Sequence, residues 1–114
     1  MRNKNEDLQK LISIPLYKIG AYTIDVMNKR LILKNESVKL TNTELYLIIM
    51  FATYVNKKLI ERKDILNVIW GEDAYRNARS LDVYICKMRK LLSKDSDILI
   101  INISKKGYRI IAPD

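Results

Sequence analysis

The spacing of hydrophobic residues changes several times along the chain, and each change predicts an element. Between positions 17 and 40 apolar and β-branched residues come in short runs divided by polar pairs. Tyr17 to Asp25 reads as a strand, Asn28-Lys29 as a turn, and Arg30 to Lys34 as a second strand. Asn35-Glu36 reads as another turn before the run Ser37-Val38-Lys39-Leu40. The product is a small antiparallel meander whose apolar face needs a helix to cover it. Thr41 with Glu44 three positions on has the pattern of a capping box, and Leu40 with Leu45 forms the hydrophobic staple around it. From Asn42 to about Val55 the run Leu45, Leu47, Ile48, Ile49, Met50, Phe51 and Ala52 fills so much of a helix circumference that burial nearly all round is expected. Tyr46 and Tyr54 are expected at core or flank positions.

After a loop at Lys57-Lys58, a short helix is predicted over about 61–69, with Ile65, Leu66, Val68 and Ile69 inward and Gly71 just past its end. Trp70 is expected at the edge of the core, and residues 70–77 form a loop with two aromatics. A third helix is predicted over about 78–93. At 100° per residue Leu81, Ile85, Met88 and Leu92 fall on one stripe, while Arg79, Val83, Cys86, Lys87, Lys90 and Lys94 fall opposite. The chain then closes with a hairpin. Ile98 to Ile103 is one strand, Ser104-Lys105-Lys106-Gly107 the turn, and Tyr108 to Ala112 the return, with a positive φ expected at Gly107.

Charge adds direction to this pattern. The stretch 76–94 holds Arg76, Arg79, Lys87, Arg89, Lys90 and Lys94 against a single acid, Asp82. Over all 114 residues the net charge is +8 and the pI about 9.6, which favours a polyanionic partner, nucleic acid before an acidic membrane surface. One domain is the natural content of this length. Residues 1–16 read as a flexible tail or linker and 17–114 as the folded domain. No apolar run approaches the ~20 residues of a membrane span, no stretch resembles a signal peptide, and a lone cysteine admits no internal disulfide, so a cytoplasmic setting is expected. With no histidine and three glycines, the commonest general base, the commonest metal ligand and a glycine-rich phosphate loop are missing. No enzyme activity, cofactor or metal is expected.

Three helices followed by a hairpin, the third helix being basic, is the order of a winged helix. In helix-turn-helix proteins the second helix of the motif enters the major groove, so 78–93 is expected to read double-stranded DNA with 59–69 in support. Val83, apolar amid cations, suits a thymine methyl. Asp82 lies near Arg89 on the wheel, seven residues away, which suggests an intrahelical or a phosphate-orienting role. Particular residues then carry a resemblance. Leu40-Thr41-x-x-Glu44, Ile69-Trp70-Gly71, Arg79 to Ile85, Lys87-Met88-Arg89-Lys90 and Gly107-Tyr108-Arg109, with the opening Ile19-Gly20-x-Tyr22-x-Ile24-Asp25, resemble the effector domain of OmpR/PhoB-type response regulators. The resemblance covers residues 17–112 in order. It implies an α+β winged helix-turn-helix with an N-terminal antiparallel four-stranded sheet, three helices and a C-terminal β-hairpin wing. It also implies transcription regulation as the output domain of a two-component phosphorelay, with the receiver domain absent from this chain.

Carried over position by position, the resemblance places base or backbone contacts at Arg79, Val83, Cys86, Lys87 and Lys90, and a phosphate contact at Arg89. Tyr84 stands where many members have histidine, its polar tip near the DNA backbone, and Cys86 replaces what is often an arginine. Members commonly carry Arg-Gly-x-Gly-Tyr in the wing. Here Ser104-Lys105-Lys106-Gly107-Tyr108 makes Lys105 and Lys106 the expected phosphate holders, with Trp70, Gly107 and Tyr108 beside the backbone. Loop 71–78 resembles the segment that some members use to touch RNA polymerase, and members often bind direct repeats as tandem dimers. The competing reading is a protein-interaction winged helix whose basic face meets an acidic partner.

Overall fold

The computed structural model describes residues 9–113. Four strands, β1 (Leu16–Ile19), β2 (Tyr22–Asp25), β3 (Arg30–Leu33) and β4 (Glu36–Lys39), form an antiparallel sheet in sequential order. The stretch Tyr17–Asp25, expected as one strand, is divided. Gly20, at φ +55°, turns the chain back so that Ile19 pairs with Tyr22 and Leu16 with Asp25. A side chain at Gly20 would also meet Asp95 Oδ2 at 2.5 Å, so the position excludes a Cβ on two grounds. The next turn falls where expected, its Asn28 backbone and side-chain N–H groups donating to the Asp25 carboxylate. The third lies on Lys34-Asn35, one residue earlier than the sequence suggests, with Lys34 at φ 54°.

The inner face of this sheet is closed by helix α1 (Asn42–Tyr54). Its capping box is present: Glu44 N–H donates to Thr41 Oγ1 at 3.2 Å, and Thr41 N–H to Glu44 Oε1 at 2.8 Å. The cap contributes about 1 kcal/mol. Seven of the helix's side chains, Leu45 and Leu47 through Ala52, are buried, and each large one contributes roughly 1.5–3 kcal/mol. Burial therefore places α1, and the cap decides where it starts.

Helix α2 (Arg62–Trp70) buries Ile65 and Ile69 fully and Leu66 and Val68 in part, and ends at Gly71 with φ 56°. A single 3-10 turn (Gly71–Asp73) leads toward helix α3 (Ala78–Leu91). Beyond it, β6 (Leu99–Ile103) and β7 (Gly107–Ile111) form the hairpin. One strand was not expected from the sequence. Ile60–Glu61, here β5, pairs antiparallel with β7, which makes a three-stranded sheet in the order β5-β7-β6.

The wing turn differs from expectation at Gly107. The positive φ values lie at Ser104 (40°) and Lys105 (66°), closed by Lys106 N–H donating to Ile103 O at 2.7 Å, which is the sign pattern of a type I′ turn. Gly107 is instead the first residue of β7, and it is glycine because β5 crosses it closely. A Cβ there would stand 2.0 Å from Ile60 O.

The expected tail is partly packed. Residues 9–12 are helical, Leu11 and Ile12 rest against the core, and Tyr17 Oη–H donates to Leu11 O at 2.8 Å. That helical turn stops short of Pro15, whose ring disfavours helix in the residue before it. Residues 1–8 of the expected tail, and Asp114 of the expected domain, lie outside the described residues.

Candidate nucleic-acid interface

Helix α3 extends about 21 Å at 1.5 Å per residue. Leu81, Ile85 and Met88, with Leu92 just past the helix end, are buried in the core. The opposite side is open: Arg79, Asp82, Val83, Cys86, Lys87, Arg89 and Lys90 are all exposed. Val83 is 57% exposed among cations, an apolar side chain with no packing reason to be there. The helix back is thus fastened by burial while its front is left to charge.

The flank toward α2 is built from aromatics. Trp70 and Tyr84 are half-buried, their ring centroids 6.0 Å apart and tilted by 52°. Lys87 Nζ lies 5.0 Å from the Tyr84 ring centroid, a cation–π arrangement that restricts where the ammonium points. On the other flank Arg89 donates from NH2 to Ile100 O of β6 at 3.0 Å. Lys105 and Lys106 are exposed at the tip of the wing.

Two expected site residues stand elsewhere. Tyr108 is only 3% exposed, and Gly107 is buried under β5, so both belong to the support of the wing and neither faces outward. Burial comes first in pushing the Tyr108 phenol above its ordinary value. Lys94 lies beyond the end of α3 and pairs with Glu36 of β4, which lowers the Glu36 carboxyl and raises the Lys94 ammonium. The same corner is joined by Lys94 N–H donating to Tyr22 Oη (3.1 Å) and Ala21 N–H donating to Asp95 Oδ2 (2.9 Å). The first sheet is thereby tied to the end of the basic helix.

Asp82 does not pair with Arg89. Its Oδ1 accepts from NH1 of Arg62, at the start of α2, at 2.8 Å. The same guanidinium donates to Tyr108 Oη at 2.9 Å and to Ala78 O at 2.6 Å. Arg62 has no signature in the sequence. Nothing local marks it, because its partners lie 16, 20 and 46 residues away. A cleft between α3 and the wing is lined by Arg62, Asp82, Asn102, Lys105, Gly107 and Tyr108.

A sheet-backed trihelical core whose third helix presents a cationic face beside a β-hairpin defines a winged helix-turn-helix domain. Residues 35–110, more than half of the chain, match the family described as "Transcriptional regulatory protein, C terminal". The chain belongs to that family, the effector domains of OmpR/PhoB-type response regulators. It is 42% identical over 99 residues to the transcriptional regulatory protein RprY of Bacteroides fragilis (strain YCH46), covering 87% of this chain and 42% of that protein. To the heme response regulator HssR of Staphylococcus aureus (strain bovine RF122 / ET3-1) it is 31% identical over 93 residues, or 81% of this chain and 41% of that one. The crystal structure of the Klebsiella pneumoniae RstA DNA-binding domain in complex with the RstA box superposes with a TM-score of 0.65 at 28% identity, covering 89% of this chain and all of that one. The chain spans about two-fifths of the length of the curated relatives it matches. No helix among the described residues is long and apolar enough to cross a membrane.

Proposed function

We propose that this domain binds double-stranded DNA sequence-specifically and regulates transcription as the output half of a two-component response regulator. The observation that carries the reading is the outward stripe of Arg79, Val83, Cys86, Lys87 and Lys90 on a helix whose other side is locked into the core. A helix of this diameter fits a major groove about 12 Å wide, where base edges are distinguishable. In this reading Lys87 and Arg79 donate to base or backbone acceptors, Val83 meets a thymine methyl, and Cys86 gives a weaker contact than an arginine would. Arg89, Lys105 and Lys106 hold phosphates, which set register without reading sequence. Tyr84 and Trp70 flank the DNA backbone and steer Lys87. Gly107 and Tyr108 act indirectly, by holding the wing.

The domain's wider setting follows from the same reading. A receiver domain precedes it in the full regulator, residues near the N-terminus connect the two, and the protein works in the cytoplasm. Loop 71–78, where Tyr75 is 94% exposed beside Glu72 and Asp73, is a contact for RNA polymerase, and two copies sit in tandem on a direct repeat.

Selection of bound duplexes from a randomised pool tests the core of this proposal, because it returns activity and target together. Affinity for the selected duplex should fall with salt at a slope of about −0.9 per phosphate neutralised, so ~5 phosphates make a fourfold rise in salt cost several hundredfold. Absence of any mobility shift at micromolar protein and low salt, or affinity indifferent to salt, overturns it.

A further inference from the structure

One guanidinium joins three elements of the interface. Arg62 holds Asp82 Oδ1 and Ala78 O on α3 and Tyr108 Oη on β7, at 2.8, 2.6 and 2.9 Å. Its backbone N–H also donates to Lys106 O in the wing turn at 2.8 Å. We propose that Arg62 is a positioning residue for DNA recognition, which fixes the wing at one angle to the reading helix and holds the carboxylate of Asp82 back from incoming phosphates. The proposal rests on the DNA-binding reading above.

Magnitudes favour orientation over stability. The Asp82 side chain is 65% exposed, and an ion pair that open to solvent contributes little to folding. Its directional content is larger, because a planar guanidinium fork aims its donors in fixed directions and few rotations satisfy three acceptors on two elements together. Asp82 is also the sole acid between residues 76 and 94, set on the face that meets phosphates. Without a partner it would repel the ligand; bound to Arg62 it becomes a fixed strut. Helix and wing contacts must be made at once on one rigid duplex, so an error in their mutual angle weakens the matched site more than random sequence.

Three variants of the chain separate this from a merely structural role: Tyr108→Phe, which removes only the hydroxyl; Asp82→Ala; and Arg62→Lys, which keeps the charge and loses the fork. Each is titrated with the selected duplex and with a shuffled duplex of the same length. Tyr108→Phe and Arg62→Lys should lose roughly tenfold on the selected duplex, the scale of one hydrogen bond to a charged group, and almost nothing on the shuffled one. Asp82→Ala should bind the shuffled duplex more tightly and the selected one more weakly, whereas charge alone predicts tighter binding to both. A selected-to-shuffled ratio that stays at the wild-type value in these variants overturns the proposal. Without DNA, residual dipolar couplings should report a wing reoriented against α3 in Tyr108→Phe, and an unchanged orientation also overturns it. Wild-type protein unable to tell the two duplexes apart sinks the DNA-binding reading itself, a distinct failure.

Discussion

Gly107 and Ile60 sit so close that the carbonyl oxygen of Ile60 occupies the space a side chain on Gly107 would need, 2.0 Å from the Cβ position. The two are neighbours in the register of β5 and β7, where Ile60 faces Tyr108 and Glu61 faces Gly107. A two-residue strand thereby clamps the base of the wing against the helical core.

Gly107→Ala should therefore displace β5 from β7 and cost about 2–3 kcal/mol of stability, the range of overpacked sites where the obstacle is backbone. A lower urea midpoint, with exchange of the Tyr108 and Arg62 amides accelerated, is the expected signature. Unchanged stability would mean that β5 yields freely.

Lys87→Ala and Lys106→Ala should separate reading from holding. Loss of Lys87 should relax sequence preference by roughly 1–3 kcal/mol at one position, while loss of Lys106 should weaken all duplexes alike and reduce the salt slope by about one phosphate. Binding titrations on matched and mismatched duplexes at several salt concentrations read both. Identical behaviour of the two variants contradicts the division of labour.

The tie between Glu36 and Lys94 makes a prediction about pH. The hydrogen bond and the charge of Lys94 lower the folded Glu36 carboxyl below its ordinary value. A depressed carboxyl contributes stability that is present above its unfolded pKa, about 4.3, and is lost as pH falls through the folded value. For Lys94, whose ammonium is raised, the contribution is present below about 10.4 and lost as pH rises through the folded value. Carboxyl-detected NMR should find Glu36 titrating below the ordinary range in the wild type and returning to it in Lys94→Met. No movement in that variant argues against the pairing in solution.

Trp70 is the chain's single tryptophan and packs beside Tyr84. Tyr84→Ala should uncover the indole and shift its emission to longer wavelength, with little loss of stability because both rings are only half-buried. Tyr84→Phe should keep the emission and the cation–π contact with Lys87. A spectrum unaltered in Tyr84→Ala would place the rings apart.

Much of this architecture is legible in the order of residues because it follows from periodicity. The buried run in α1, the capping box at Thr41 and Glu44, and the split of α3 into Leu81-Ile85-Met88 against Arg79-Lys87-Lys90 are all local patterns, and the structure places them as read. What escaped is what has no period. Ile60–Glu61 is too short to show alternation, and it is a strand only because β7 lies beside it. The turn at Gly20 interrupts an otherwise continuous β-type run, so the residue pattern resembles one strand where there are two. Composition places Gly107 in a turn, while its role is set by a crossing strand 46 residues earlier in the chain. Asp82 offered Arg89 as a partner by sequence spacing, and the true partner, Arg62, is visible only once α2 and α3 are packed.

The near-complete enclosure of α1 has a consequence for how this domain can vary. From Leu47 to Ala52 six successive residues are shut away, so no angle around the axle is left on which a charge could reach solvent. An ordinary amphipathic helix accepts polar replacements along half its circumference; between Leu47 and Ala52 this one rejects them, and only its ends and the half-buried Tyr46 reach solvent. The room for substitution lies at the rim, on the outer edge of α3, the hairpin tip and the strand turns, where exposed side chains can change without disturbing the hub.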